Sequence, residues 1–83
     1  MKSLDELKQE IKSYVLSTTF GDKNKLEDST MIFREGYYDS MGFVSLIAYL
    51  EENYKVKTAD EDLIEENFES IDAISKYVEK KLN

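Results

Sequence analysis

No proline occurs anywhere in the 83 residues, and glycine stands only at positions 21, 36 and 42. In a helix interior a proline costs about 3 kcal/mol and a glycine about 1 kcal/mol relative to alanine. A chain without the first and almost without the second, and rich in Leu, Lys and Glu, forms helix wherever its apolar residues recur at steps of three and four. Four segments follow from that rule. Ser3-Leu4-Asp5-Glu6 has the spacing of a capping box, and Leu4, Leu7, Ile11 and Tyr14/Val15 continue the period, which predicts an amphipathic helix over roughly residues 4 to 17. From Thr18 to Asp39 the period fails. This stretch holds two glycines and the polar cluster Asp22 to Asn24, and it reads as a long loop pinned by Leu26, Ile32 and Phe33.

A second helix runs from about Ser40 to Asn53. At about 100° per residue, one face collects Phe43, Leu46, Ile47, Leu50 and Tyr54 as the core stripe. The opposite face carries Met41, Ser45, Ala48, Tyr49 and Glu52, so apolar groups remain where an ordinary surface helix is polar. The plain alternative is that the long loop covers Met41 and Tyr49. After a turn at Lys55 to Thr58, a short helix is predicted over Asp60-Glu61-Asp62-Leu63-Ile64-Glu65-Glu66. The last helix follows Ser70 as its N-cap, with Ile71, Ile74, Tyr77/Val78 and Leu82 inward and Lys76, Lys80 and Lys81 near the negative end of its dipole. The predicted fold is all-α, a small four-helix bundle of three main helices and one short one, in a single domain over residues 1–83.

Composition excludes several functions. Cysteine is absent, which removes disulfides, thiolate nucleophiles and zinc-thiolate clusters; any thiol must come from a cofactor. Histidine is absent too, and with it the commonest general base near neutral pH. A self-sufficient hydrolase is therefore not expected, and neither is any other enzyme acting alone. Eighteen acidic against eleven basic side chains give a net charge of −7, which disfavours nucleic acid and anionic membrane and favours partners with basic surfaces. The N-terminus turns acidic at once, and the longest apolar run, Leu46 to Leu50, is too short to span a bilayer. The expectation is a cytoplasmic monomer with no membrane insertion. Asp60 and Asp62 resemble the start of a calcium loop, but Glu65 stands where its turn needs glycine and Ile71 where a carboxylate should close the cage, so no metal is expected.

The informative stretch is Gly36-Tyr37-Tyr38-Asp39-Ser40-Met41-Gly42, at the junction of the long loop and the second helix. A serine at a helix N-terminus is exposed, and a phosphodiester on its oxygen would lie where free backbone N–H groups and the positive end of the dipole stabilise anions. Asp39 can supply the cap that a modified Ser40 would give up. Read alone, Ser40 or Asp39 is far more often an ordinary N-cap and nothing more.

With these residues in place, nearly the whole chain resembles the acyl and peptidyl carrier proteins, whose Asp-Ser-Leu signature opens the second of four helices. Here Asp39-Ser40-Met41 opens a helix ending Leu50-Glu51-Glu52-Asn53-Tyr54, followed by a short acidic helix and a last one begun by Phe68-Glu69-Ser70-Ile71. The resemblance implies that Ser40 accepts 4′-phosphopantetheine from coenzyme A through a separate, magnesium-dependent phosphopantetheinyl transferase. The arm's thiol would then hold acyl or aminoacyl groups as thioesters for an activating ligase and for downstream synthase or transferase enzymes. It further implies partner contacts through Asp39, Met41, Ser45, Ala48, Glu51 and Glu52. Residues 60 to 72 carry seven carboxylates and no base; most of them read as a solvated face, and as a set they could help orient a basic partner. Tyr37 and Tyr38 between Gly36 and Asp39, Met41 in place of Leu, and Gly42 in the first helical turn depart from the common pattern. Gly-x-x-Asp-Ser-Met-Gly is closer to D-alanyl and other stand-alone aminoacyl carriers than to fatty-acid carriers, whereas Asn67 to Ile71 departs from the D-alanyl type, which leaves the cargo open. Bulky Phe43 and Tyr54 leave little room for a long acyl chain. The competing reading is a helical adaptor that keeps the fold, is never modified, and binds through the outward stripe.

Overall fold

The computed structural model describes residues 3–19 and 21–82, and every regular element among them is helical. Helix α1 spans Leu4–Thr18, α2 Ser40–Tyr54, α3 Glu65–Phe68 and α4 Ile71–Leu82, with two short 3-10 turns at Lys23–Lys25 and Asp60–Asp62. The bundle is the all-α architecture that the apolar spacing predicts.

The start of α1 forms as its four-residue signature requires. The Glu6 N–H donates to the Ser3 hydroxyl at 3.2 Å, and the Ser3 N–H donates to the Glu6 carboxylate at 3.3 Å, so two N–H groups without helical partners are satisfied reciprocally. Leu7, Ile11 and Val15 then fall on one face and are buried against α4, whose Ile71, Ile74 and Val78 are buried in turn. Helix α2 adds Leu46, Leu50 and Tyr54, and α3 adds Phe68. Each such side chain taken from water contributes about 1.5–3 kcal/mol, which is what holds a chain this small in one arrangement. Phe43, Ile47 and Leu82, read as inward, are half-buried at the margin of this core.

The long segment between α1 and α2 is irregular but tightly held. Leu26 and Ile32 are buried as expected, Phe33 is half-buried, and Tyr37 and Tyr38 join them in the core. The backbone is tied to the entry of α4, since the Ile32 N–H donates to the Glu69 carbonyl at 2.9 Å and the Asp72 N–H to the Asp28 carbonyl at 3.0 Å. Ion pairs Lys8–Asp72 at 2.9 Å and Lys12–Asp28 at 3.4 Å add α1 to the same junction. At the loop's end the chain turns through Gly36, whose φ of +80° suits a residue without Cβ. The Ile32 carbonyl then accepts from both the Tyr37 N–H (2.8 Å) and the Tyr38 N–H (3.1 Å), which fixes the approach to α2.

The helix predicted over Asp60 to Glu66 is not continuous. Asp60–Asp62 is a 3-10 turn, Leu63 leaves helical geometry with ψ at 58°, and α3 starts only at Glu65. The cause lies in Asp62. Its carboxylate accepts from the Ala59 N–H at 3.3 Å and the Tyr77 hydroxyl at 3.1 Å, and pairs with Lys81 at 2.8 Å. Its carbonyl accepts from the Asn67 side-chain amide at 2.8 Å, so the turn closes on itself and on α4 instead of running on. No helix among the described residues is long and apolar enough to cross a membrane.

Candidate functional site at the start of helix α2

Asp39 caps α2 from an extended conformation: its carboxylate accepts from the Gly42 N–H at 2.9 Å, and its carbonyl accepts from the Phe43 N–H at 3.0 Å. Because Asp39 takes the capping role, Ser40 is released from it. Ser40 is the first helical residue, it is exposed, and among the described residues no group hydrogen-bonds its hydroxyl. The N–H groups of Ser40 and Met41 also have no acceptor among the described residues. An exposed hydroxyl beside two free N–H donors, at the positive end of a 15-residue helix, is a place where a phosphodiester is stabilised.

The approach to this serine is built by the tyrosine pair that sets the sequence apart, and each ring sits against a glycine. A Cβ on Gly42 would lie 2.9 Å from the Tyr38 ring, and one on Gly21 would collide with the ring of Tyr37. Gly42, which costs helix propensity in the first turn of α2, therefore makes room for Tyr38 against that turn. The Tyr38 hydroxyl is hydrogen-bonded to that of Thr18 at the end of α1, and burial raises its pKa above the ordinary phenol value. The Tyr37 hydroxyl donates to the Asp22 carbonyl at 2.9 Å, and the Thr19 hydroxyl donates to the Tyr37 carbonyl at 2.8 Å. Two shallow grooves flank the site. One is lined by Phe33, Tyr38, Asp39, Ser40 and Phe43. The other lies toward α1, between Tyr14, Thr18 and Tyr38 on one side and Met41, Gly42 and Ser45 on the other.

The outward stripe is present with two changes. Met41 is 73% exposed, and Ser45, Ala48 and Glu52 share its face; the long loop does not cover Met41. Tyr49, assigned to that face from the wheel, is half-buried instead: its ring stacks on Tyr14 of α1 at 4.0 Å and meets Tyr54 edge-on at 6.1 Å. Val44, absent from the stripe as predicted, is 62% exposed beside it. Its position between the core stripe and Met41 on the wheel was the available signal. Glu51 lies at the rim but is engaged, accepting from the Thr58 N–H at 3.1 Å and hydroxyl at 2.7 Å; those bonds hold its pKa below the usual carboxylate range. Tyr54 is not part of the groove at Ser40. Its hydroxyl donates to Glu10 at 2.7 Å on the α1 side, and burial, reinforced by that bond, pushes its pKa up. The acidic stretch 60 to 72 is partly paired as well, through Asp62–Lys81, Asp72–Lys8 and Glu65–Arg34.

A family described as the phosphopantetheine attachment site matches residues 9–78, which takes in the end of the long loop, Ser40 and all of α2 and α3. No curated protein matches the sequence. The geometry at α2 suits the anionic group that the family carries: the cap, the free N–H donors and the exposed hydroxyl are all in place. The chain belongs to the phosphopantetheine-attachment family, the acyl and peptidyl carrier domains on which a covalent 4′-phosphopantetheine serves as cofactor.

Proposed function

We propose that Ser40 is the residue that carries the arm and that the protein is a carrier of acyl or aminoacyl groups. One observation supports this most directly: an exposed hydroxyl at the first position of α2 with no hydrogen-bond partner among the described residues, and Asp39 as the cap. In the loading reaction the Ser40 oxygen forms a bond to the phosphorus of coenzyme A that bears the pantetheine. The anhydride bond breaks, the adenosine bisphosphate leaves, and the serine proton passes to a base of the transferase. The transferase must supply that base, since the chain has no histidine and the neighbouring Asp39 carboxylate is hydrogen-bonded to Gly42. Once bound, the group supplies the thiol that this cysteine-free chain lacks, and with it the thioester on which cargo travels.

The partner surface in this reading is Met41, Val44, Ser45 and Ala48, with Asp39, Glu51 and Glu52 at its edge. A small apolar patch with a carboxylate rim on a chain of net charge −7 suits brief, electrostatically steered encounters with basic enzymes. The transferase, an activating ligase and a downstream transferase or synthase would take turns on it, and the carrier itself performs no turnover. Incubation with coenzyme A, magnesium and a broad-specificity transferase is expected to add one phosphopantetheine mass to the wild type and none to Ser40→Ala. A wild type that stays at its unmodified mass contradicts the proposal.

A further inference from the structure

The groove that Ser40 borders ends on phenyl rings. Phe33 and Phe43 line it, meeting edge to face at 5.6 Å with an interplanar angle of 72°. Phe43 also packs edge-on against Phe68 at 5.5 Å, Phe68 against Tyr77 at 5.0 Å, and Phe33 against Tyr38 at 6.1 Å. Phe68 is fully buried, in the same core as Leu46 and Ile71. The five rings thus form a chain of contacts, Tyr38–Phe33–Phe43–Phe68–Tyr77, that runs from the groove at Ser40 into the core. Such pairs contribute beyond their buried area, and a protein core packed to ordinary density leaves no room for an added methylene chain unless its side chains move.

We infer that Phe33 and Phe43 act as a closed lid that sets the class of cargo, so that the protein carries short or polar groups, aminoacyl groups among them, held in water outside the bundle. A long acyl chain gains by removing its methylenes from water, and the lid denies it that shelter. A charged ammonium has nothing to gain from burial and is content on the outside. Tyr54, the other ring expected from the sequence to restrict cargo, has no part in this, because it packs on the α1 side of α2. The proposal rests on attachment at Ser40.

The test loads wild type and Phe43→Ala with acetyl or octanoyl pantetheine from the corresponding coenzyme A thioesters, then follows hydroxylamine cleavage by intact mass. For the wild type, the acetyl and octanoyl forms are expected to cleave at comparable rates, since neither thioester is sheltered. Phe43→Ala opens a space next to Phe68, and its octanoyl form is expected to cleave several-fold more slowly than its acetyl form. Should that variant fail to fold, Phe33→Ala, at a half-buried loop position, takes its place. A second readout is the Phe68 ring proton shifts, which are expected to be the same in the acetyl and octanoyl wild type. A wild type that loads but protects its octanoyl thioester, or moves the Phe68 signals, overturns the lid alone. A wild type that accepts no pantetheine mass overturns the attachment at Ser40 and the lid with it.

Discussion

A Cβ at position 42 would stand 2.9 Å from the Tyr38 ring, closer than side chains approach without displacement. Glycine to alanine inside a helix ordinarily gains about 1 kcal/mol, whereas forcing a methyl into a packed contact costs about 1–3 kcal/mol. The second effect wins here, so Gly42→Ala is expected to lower stability by about 1 kcal/mol in urea unfolding and to become stabilising when combined with Tyr38→Ala, because the two residues touch. A stabilised Gly42→Ala single variant would contradict the close approach. At this scale the sequence carried the local chemistry well. Ser3 with Glu6, Asp39 with the Gly42 N–H, and Ser70 with the Ala73 N–H at 3.1 Å are contacts between residues three apart, and their spacing is visible without a fold. The exposure of Val44 could be taken from the wheel, but the burial of Tyr49 could not. A wheel gives directions around α2, but Tyr14 on α1 decides which flank is covered.

Among the elements, α1, α2 and α4 are amphipathic over three to four turns and were legible from periodicity, with ends within a residue or so of those found. The segment from Asp60 to Phe68 was not, because Tyr77 and Lys81 of α4 decide it by engaging the Asp62 carboxylate, and propensity contains nothing of α4. The connection leaving α2 follows the same logic. Lys55 takes a left-handed conformation with φ of 58°, and Glu51, one turn back, holds both the N–H and the hydroxyl of Thr58. Replacing Glu51 with Ala should therefore speed amide hydrogen exchange at Thr58 and its neighbours while leaving the N-terminal half of α2 unchanged. Unaltered exchange at Thr58 would show that the carboxylate does not hold this turn. Charge reversal at Glu51 thus disturbs structure as well as any partner contact, and Glu52, which is exposed, is the cleaner probe of docking.

Across the whole molecule, five tyrosines have raised pKa values: Tyr14, Tyr37, Tyr38, Tyr54 and Tyr77. For Tyr77, burial first and the bond to Asp62 second push the value up to about 12. In the unfolded chain these phenols ionise near the ordinary value of about 10, so the fold, which keeps them neutral, has their full contribution below that pH. That contribution falls as pH rises from about 10 through about 12, where folded Tyr77 ionises. Asp62 acts at the other end: Lys81 above all holds its pKa below 3.8, so its contribution is present above that pH and is lost as pH falls through the lowered value. Denaturant midpoints across the alkaline range should decline in step with tyrosinate absorbance. Tyrosinate forming at its ordinary pH in the still-folded protein would contradict the burial described.

The proposed carrier role depends on which atom bears the arm, and mass mapping of the protein isolated from its native host reads that directly. Proteolysis followed by tandem mass spectrometry is expected to place a phosphopantetheine-derived mass on the peptide containing Asp39-Ser40-Met41, with fragment ions that assign it to Ser40. A modification assigned to any other residue, or a Ser40 peptide found only in its unmodified form, would contradict it.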